Sequence, residues 1–300
     1  MLYLCAMYYR RKILLSLLEI FGNQLEKLQL QKLLFILAQN QDEPNYYFVP
    51  YKFGCFSFQA NSDLGTLKKY GQISEGEKTW VKTSKQSFLS ELKKDDYQHI
   101  LMLKKEFGRK NSKDLIRYTY LNYPYFAIKS QVAVNYLNAV EIQKVNSAKP
   151  ASQKTGLFTI GYEGISFEEY LNKLLRENIV VLCDVRKNSK SMKYGFSKNQ
   201  LKSACEGLGI QFIHIPEVGI NADKRQELHV QADYDLLFED YNQTVIRETV
   251  AQQESIIDLI QTHHRVAITC FEANICQCHR LHLANAVMAR PQANFDLYHI

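Results

Sequence analysis

The sequence predicts an α/β protein: a parallel sheet covered by helices on both faces, preceded by a mainly helical domain. Three observations carry this. In residues 155–300 apolar strand-like runs alternate with amphipathic helices. In residues 1–145 helical spacings dominate and give way to one hairpin pattern. Between them, Lys144-Val-Asn-Ser-Ala-Lys-Pro-Ala-Ser-Gln-Lys154 is poor in apolar residues and reads as a linker. A chain of 300 residues is long enough for each half to bury its own core.

In the front domain, Ile13, Leu14, Leu17, Leu18 and Phe21 share one helical face, and Gly22-Asn23 can end that helix. Leu30, Leu33, Leu34 and Leu37 mark a second helix, and Tyr46-Tyr-Phe-Val-Pro-Tyr51 has strand character. A third helix is expected from Asn61 to Tyr70, closed by Gly71. Ile73 to Thr83, with Gly76 and Trp80, predicts a short hairpin. Helices are then expected from Gln86 to Phe107 and from Ser112 to Leu121. Three helices followed by a hairpin is the order of a winged helix, so a winged-helix-like domain is expected over 1–145.

In the back domain, Leu157-Phe-Thr-Ile160 predicts a buried strand, and Ser166 can cap a helix whose apolar face holds Phe167, Tyr170, Leu171, Leu174 and Leu175. Ile179-Val-Val-Leu-Cys183 is the next strand, followed by a polar loop from Lys187 to Ser197 and a helix to Leu208. Gln211-Phe-Ile-His-Ile215 and Val266-Ala-Ile-Thr-Cys270 are further strands. Helices are expected at Tyr234–Tyr241, Val245–Leu259 and Cys278–Met288, with an edge strand at Phe295–His299. Such alternation predicts a Rossmann-like parallel sheet over 155–300.

Composition excludes several classes. A hydrophobic share of 46%, with 19 Tyr and 16 Phe, is that of a folding chain and not of a disordered one. No apolar run reaches the ~18 residues of a spanning helix. The stretch from Met1 to Arg11 lacks the ordered regions of a signal peptide. Seven Cys, an odd number over so long a chain, do not form a disulfide framework. A reduced, cytoplasmic protein without a membrane partner is expected. The net charge of +6 conceals an asymmetry: residues 1–150 hold 22 Lys and Arg against 13 Asp and Glu, and the remainder 15 against 18. A basic front half predicts an anion-binding module. Lys68, Lys69, Lys78, Lys82 and Lys85 are the candidate DNA contacts.

Ligands of parallel sheets sit beyond the carboxyl ends of the strands. Those ends carry Gly161, Tyr162 and Glu163, then Asp184 and Arg186, then Glu272 with Cys278, His279 and Arg280 after it. Asp184 and Glu272 are the candidate catalytic carboxylates. Cleavage at an anomeric carbon needs an anion facing an oxocarbenium-like centre and a second group that moves a proton, here His279 or a carboxyl group with raised pKa. The competing reading makes Asp184 and Arg186 a structural pair. Arg186 and Arg280 are candidates for phosphate, and Tyr162, Tyr194 and Phe196 for stacking an extruded base. Cys276-Gln-Cys278-His279 with Cys270 and His282 offers zinc-type residues, yet separated Cys-x-x-Cys hooks are missing, so no metal and no cofactor is expected. Cysteine catalysis of the Cys-x5-Arg type is not expected either, because the position six after Cys270, where that motif has Arg, is Cys276.

Two resemblances add to this. Thr159-Ile-Gly-Tyr-Glu-Gly164, Asp184-Val-Arg186 and Cys270-Phe-Glu-Ala with Cys278-His279-Arg280 resemble the domain of unknown function 488 family over about 155–290. In the front half, Leu30-Gln-Lys-Leu-Leu-Phe-Ile36, Tyr51-Lys-Phe-Gly-Cys-Phe-Ser57 and Leu64-Gly-Thr-Leu-Lys-Lys-Tyr-Gly-Gln-Ile73 resemble the Panacea domain, with Gly54-Cys55 where that family usually has Gly-Pro. The second resemblance implies a setting of mobile-element and phage conflict. The first implies no activity. The expected function is a DNA-acting hydrolase, most concretely a glycosylase that excises a modified base from phage DNA, with double-stranded DNA as partner. The alternatives are a non-catalytic DNA-binding regulator or antitoxin-like module, and a metal-dependent nuclease.

Overall fold

A computed structural model describes residues 7–152, 154–225 and 228–300. The chain divides into two compact units that part between Lys149 and Pro150.

In the first unit, α1 (Tyr9–Ile20) turns Ile13, Leu14, Leu17 and Leu18 fully inward and is stopped by Gly22 and Asn23, both at positive φ. Strand β1 (Gln24–Glu26) leads into α2 (Lys27–Gln39), which buries Leu30, Leu33, Leu34 and Leu37. A hairpin follows, β2 (Val49–Tyr51) with β3 (Gly54–Phe56), then α3 (Phe58–Lys69), whose first turn is capped by the Ser57 side chain. Strands β4 (Ile73–Glu75) and β5 (Thr79–Lys82) complete an antiparallel sheet in the order β1-β5-β4. Helices α4 (Lys94–Phe107), α5 (Ser112–Asn122) and α6 (Ala139–Ser147) follow. The core gathers around Phe35, whose ring meets Phe48, Tyr123 and Phe126 edge-on.

Three sequence expectations change here. The strand run ending at Tyr51 is one arm of a hairpin. The helix expected from Gln86 begins only at Lys94, because Ser84 and Ser87 side chains hold the amides of Gln86 and Leu89 and Lys82 Nζ donates to the Ser84 and Gln86 carbonyls. Those backbone groups are satisfied outside a helix. The expected linker begins inside α6, where Asn138 and Glu141 form a capping box and Val145 is buried.

The second unit is a five-stranded parallel sheet: β6 (Gly156–Gly161), β7 (Val181–Asp184), β8 (Gln211–His214), β9 (Arg265–Cys270) and β10 (Asp296–His299), in the order β10-β6-β9-β7-β8. Between them run α7 (Phe167–Arg176), α8 (Lys198–Gly207), α9 (Gln231–Gln243), α10 (Val245–Glu248), α11 (Val250–His263) and α12 (His279–Met288). Side chains alternate along a strand. On β9, Val266 and Ile268 pack with Ile256, Ile257 and Ile260 of α11 and with Leu283 and Val287 of α12. Thr269, on the other face, accepts a hydrogen bond from Tyr170 of α7. Both faces of the sheet are therefore covered. The single helix expected over Val245–Leu259 is broken at Thr249, whose hydroxyl donates back to the Val245 carbonyl. Among the described residues, no helix is long and apolar enough to cross a membrane.

Candidate functional site

Register places the carboxyl ends of the three central strands side by side. Gly161 of β6 is opposite Cys270 of β9, and Asp184 of β7 is opposite Thr269. Beyond them lies a hollow of about 290 Å³ lined by Tyr162, Arg186, Lys187, Asn188, Lys190, Ser191, Met192, Ile220, Cys270, Phe271 and His279. Among the described residues, no carboxylate lines it.

Asp184 is fully buried and spent on Arg186. Arg186 Nε reaches Oδ1 at 2.8 Å, Nη2 reaches Oδ2 at 2.6 Å, and the Arg186 amide also donates to Oδ1. Burial pulls the guanidinium pKa down, but the hydrogen bonds and charge of Asp184 outweigh it, and the net shift is upward. Nη1 donates to the Tyr162 hydroxyl at 2.6 Å. Asp184 thus aims a permanent cation into the hollow, and its assignment as a carboxylate facing substrate is corrected to a positioning role.

Tyr162 lines the hollow, and its ring stacks on Phe196 at 4.1 Å. Phe196 is wholly buried, so it backs Tyr162 and does not receive a base. Tyr194 packs edge-on against Phe167 and is not among the lining residues. The exposed ring at the hollow is Phe271, 42% accessible and set edge-on to Tyr162.

The loop after β9 is pinned at several points. Gly161 has no room for a side chain, since a Cβ there would lie 2.0 Å from the Glu272 carbonyl oxygen. Glu163 accepts from the Ala273 amide at 2.9 Å. Arg280, 3% exposed, donates to the carbonyls of Glu272 and Ala273. Gly161, Glu163 and Arg280 therefore shape the loop, with Arg280 spending Nη1 and Nη2 on its carbonyls.

Held in that loop, Glu272 accepts from the Cys270 thiol at 3.2 Å. Cys270 Sγ also lies 3.5 Å from His279 Nδ1, and His279 Nε2 donates to the Val185 carbonyl at 3.1 Å. Cys278 is fully buried beside them, and burial pushes its thiol well up, with Cys270 adding to the shift. The structure therefore unites Glu272, His279 and Cys270, while the Asp184 carboxylate is taken up by Arg186.

Sequence reasoning missed Phe271, Lys187 and Lys190 as lining residues. Their signal was position: an aromatic directly after β9, and cations in the loop directly after Arg186.

In the first unit, Lys69, Lys78 and Lys85 are exposed. Lys68 is exposed and pairs with Glu75 at 2.8 Å. Lys82 is corrected: it is buried, holds two carbonyls and lies 3.3 Å from Glu19. No phosphate can reach it without undoing those bonds.

The fold and the placement of the hollow define the second unit as a parallel α/β domain with its site at the carboxyl edge of the sheet. Residues 166–287 match the family model described as a domain of unknown function, DUF488. No curated protein matches the chain.

Proposed function

We propose that the chain is a DNA-acting hydrolase: the first unit binds duplex, and the hollow of the second takes an extruded nucleotide and cleaves its N-glycosidic bond. One observation carries this reading. At the carboxyl edge of a parallel sheet, Arg186, Lys187 and Lys190 converge with Phe271, Tyr162 and His279 on one hollow. Cations there suit a phosphate, and the exposed Phe271 ring offers a base a stacking face. Glu272 does not itself line the hollow, but it accepts from Cys270, which does, and this reading assigns it to the sugar cation and the attacking water.

The first unit supports the DNA partner. Its elements run α1-β1-α2-α3-β4-β5 with the sheet order β1-β5-β4, which suits a winged-helix-like domain, with the β2–β3 hairpin inserted before α3. The Panacea-like motifs of residues 30–73 lie within these elements.

Incubation with normal, base-modified and hypermodified phage DNA, followed by alkali, is the test. Abasic strand breaks are expected from the native chain, falling by about 100-fold or more in Glu272→Gln. Intact DNA from every substrate refutes the glycosidic reading. Salt-sensitive binding without any product assigns the chain to DNA-binding regulation instead.

A further inference from the structure

The geometry points to a zinc site formed by Cys270, Cys278 and His279. Their ligand atoms all lie within 4.8 Å of one another, and all three residues are buried. Around a tetrahedral zinc, with Zn–S about 2.3 Å and Zn–N about 2.0 Å, the sulfur–nitrogen edge is about 3.5 Å. The Cys270 Sγ to His279 Nδ1 separation is 3.5 Å.

The tautomer agrees. A carbonyl only accepts, so the 3.1 Å bond from Nε2 to Val185 fixes the imidazole proton on Nε2 and leaves the Nδ1 lone pair facing the sulfurs. Metal-bound histidines commonly donate their other nitrogen to a carbonyl in this way. Two sulfurs and an imidazole select zinc over magnesium or calcium, which prefer oxygen.

The donor set also explains which neighbours are left out. Cys276 is exposed and lies outside the cluster. His282 meets Asn242 through Nδ1 and packs at a tilt against Phe238. Of the three ligands, Cys270 and His279 line the hollow, so a zinc there would have its remaining coordination position open toward it, as catalytic and not closed structural sites do. A zinc held by these three residues would lower the pKa of a bound water toward neutrality, and Glu272, whose Oε2 lies 3.2 Å from Cys270 Sγ, would be the carboxylate at hand to take its proton. This site stands independently of which bond the hollow hydrolyses.

The test uses the full chain and the metal alone. After incubation with Zn²⁺ and exhaustive dialysis, elemental analysis is expected to find one zinc per chain. Co²⁺ in its place is expected to give the intense visible bands of a tetrahedral ion together with a thiolate-to-metal charge-transfer band. Cys278→Ser and His279→Gln are expected to reduce bound metal to background, and Cys276→Ser to retain it. Because Cys278 and His279 are buried, the Co²⁺ spectrum of the native chain decides the question even where a variant misfolds. Weak, octahedral-type Co²⁺ spectra without the thiolate band overturn the inference. So does equal metal loss in Cys276→Ser, or a Cys270–Cys278 disulfide in place of metal. Failure here leaves the DNA assay standing, and failure of that assay leaves the metal measurement standing.

Discussion

Asp184 and Arg186 make the interaction on which the hollow depends, and their geometry fixes what substitution will do. Both partners are almost inaccessible, at 0% and 6%, and the pair is bidentate. Removing one charge from such a pair strands the other without water, at a cost of about 3–5 kcal/mol. Asp184→Asn is therefore expected to lower stability by that amount in urea unfolding, whether or not DNA is present. The double variant Asp184→Leu/Arg186→Met is expected to recover much of it, since it strands no charge. A loss in Asp184→Asn too small to measure would show that Arg186 is held by something else. The same pair marks the limit of what the sequence revealed about the site. That Asp184, Arg186 and Glu272 stand at or just past strand ends was legible, because the apolar runs stop there, whereas His279 opens α12. Which of them face solvent was not, because a strand end does not say how each following residue turns. Phe196 and Tyr162 are both aromatic and nearby, yet one is the other's packing partner.

At the scale of elements, the β4–β5 hairpin is tied to the helices by charge. Glu75 accepts from Lys27 at 2.6 Å and from Lys68 at 2.8 Å. Those hydrogen bonds, opposed by a smaller desolvation effect, hold its carboxyl down at about 2, against an ordinary value of 4.5. A depressed carboxylate stabilises the fold above its unfolded value and loses that contribution as pH falls through its folded one. The clamp is thus intact above about pH 4.5 and released as pH falls toward 2. Side-chain carboxyl NMR is expected to show Glu75 titrating near the foot of that range, and Glu75→Gln to remove this part of the acid dependence. A Glu75 midpoint at the ordinary value would dissolve the clamp. Legibility varied with element length and burial. Strands β6, β7, β8 and β9 were visible because each is a compact apolar or alternating run. Strand β1 was not: of its three residues only Leu25 is buried, too few for any period. Helix α6 was partly lost in the linker because Val145 is its one buried residue.

For the whole molecule, the uneven charge makes a quantitative claim about DNA. The front half carries the cationic excess, and among its candidate contacts Lys69, Lys78 and Lys85 are exposed while Lys82 is enclosed. Each phosphate neutralised by such a side chain releases counterions, so the logarithm of affinity falls with the logarithm of salt by about 0.9 per contact. The full chain is expected to bind duplex with a salt slope of that kind. Lys69→Glu/Lys78→Glu/Lys85→Glu should flatten the slope by about 2 to 3 and weaken binding across all sequences alike. Lys82→Met provides the contrast. It removes the cation 3.3 Å from Glu19 and the donor to Ser84 and Gln86, so it should cost folding stability and leave the slope of the folded fraction unchanged. Fluorescence anisotropy with a labelled duplex at several salt concentrations reads both outcomes. An unaltered slope in the triple variant would remove these lysines from the DNA contact.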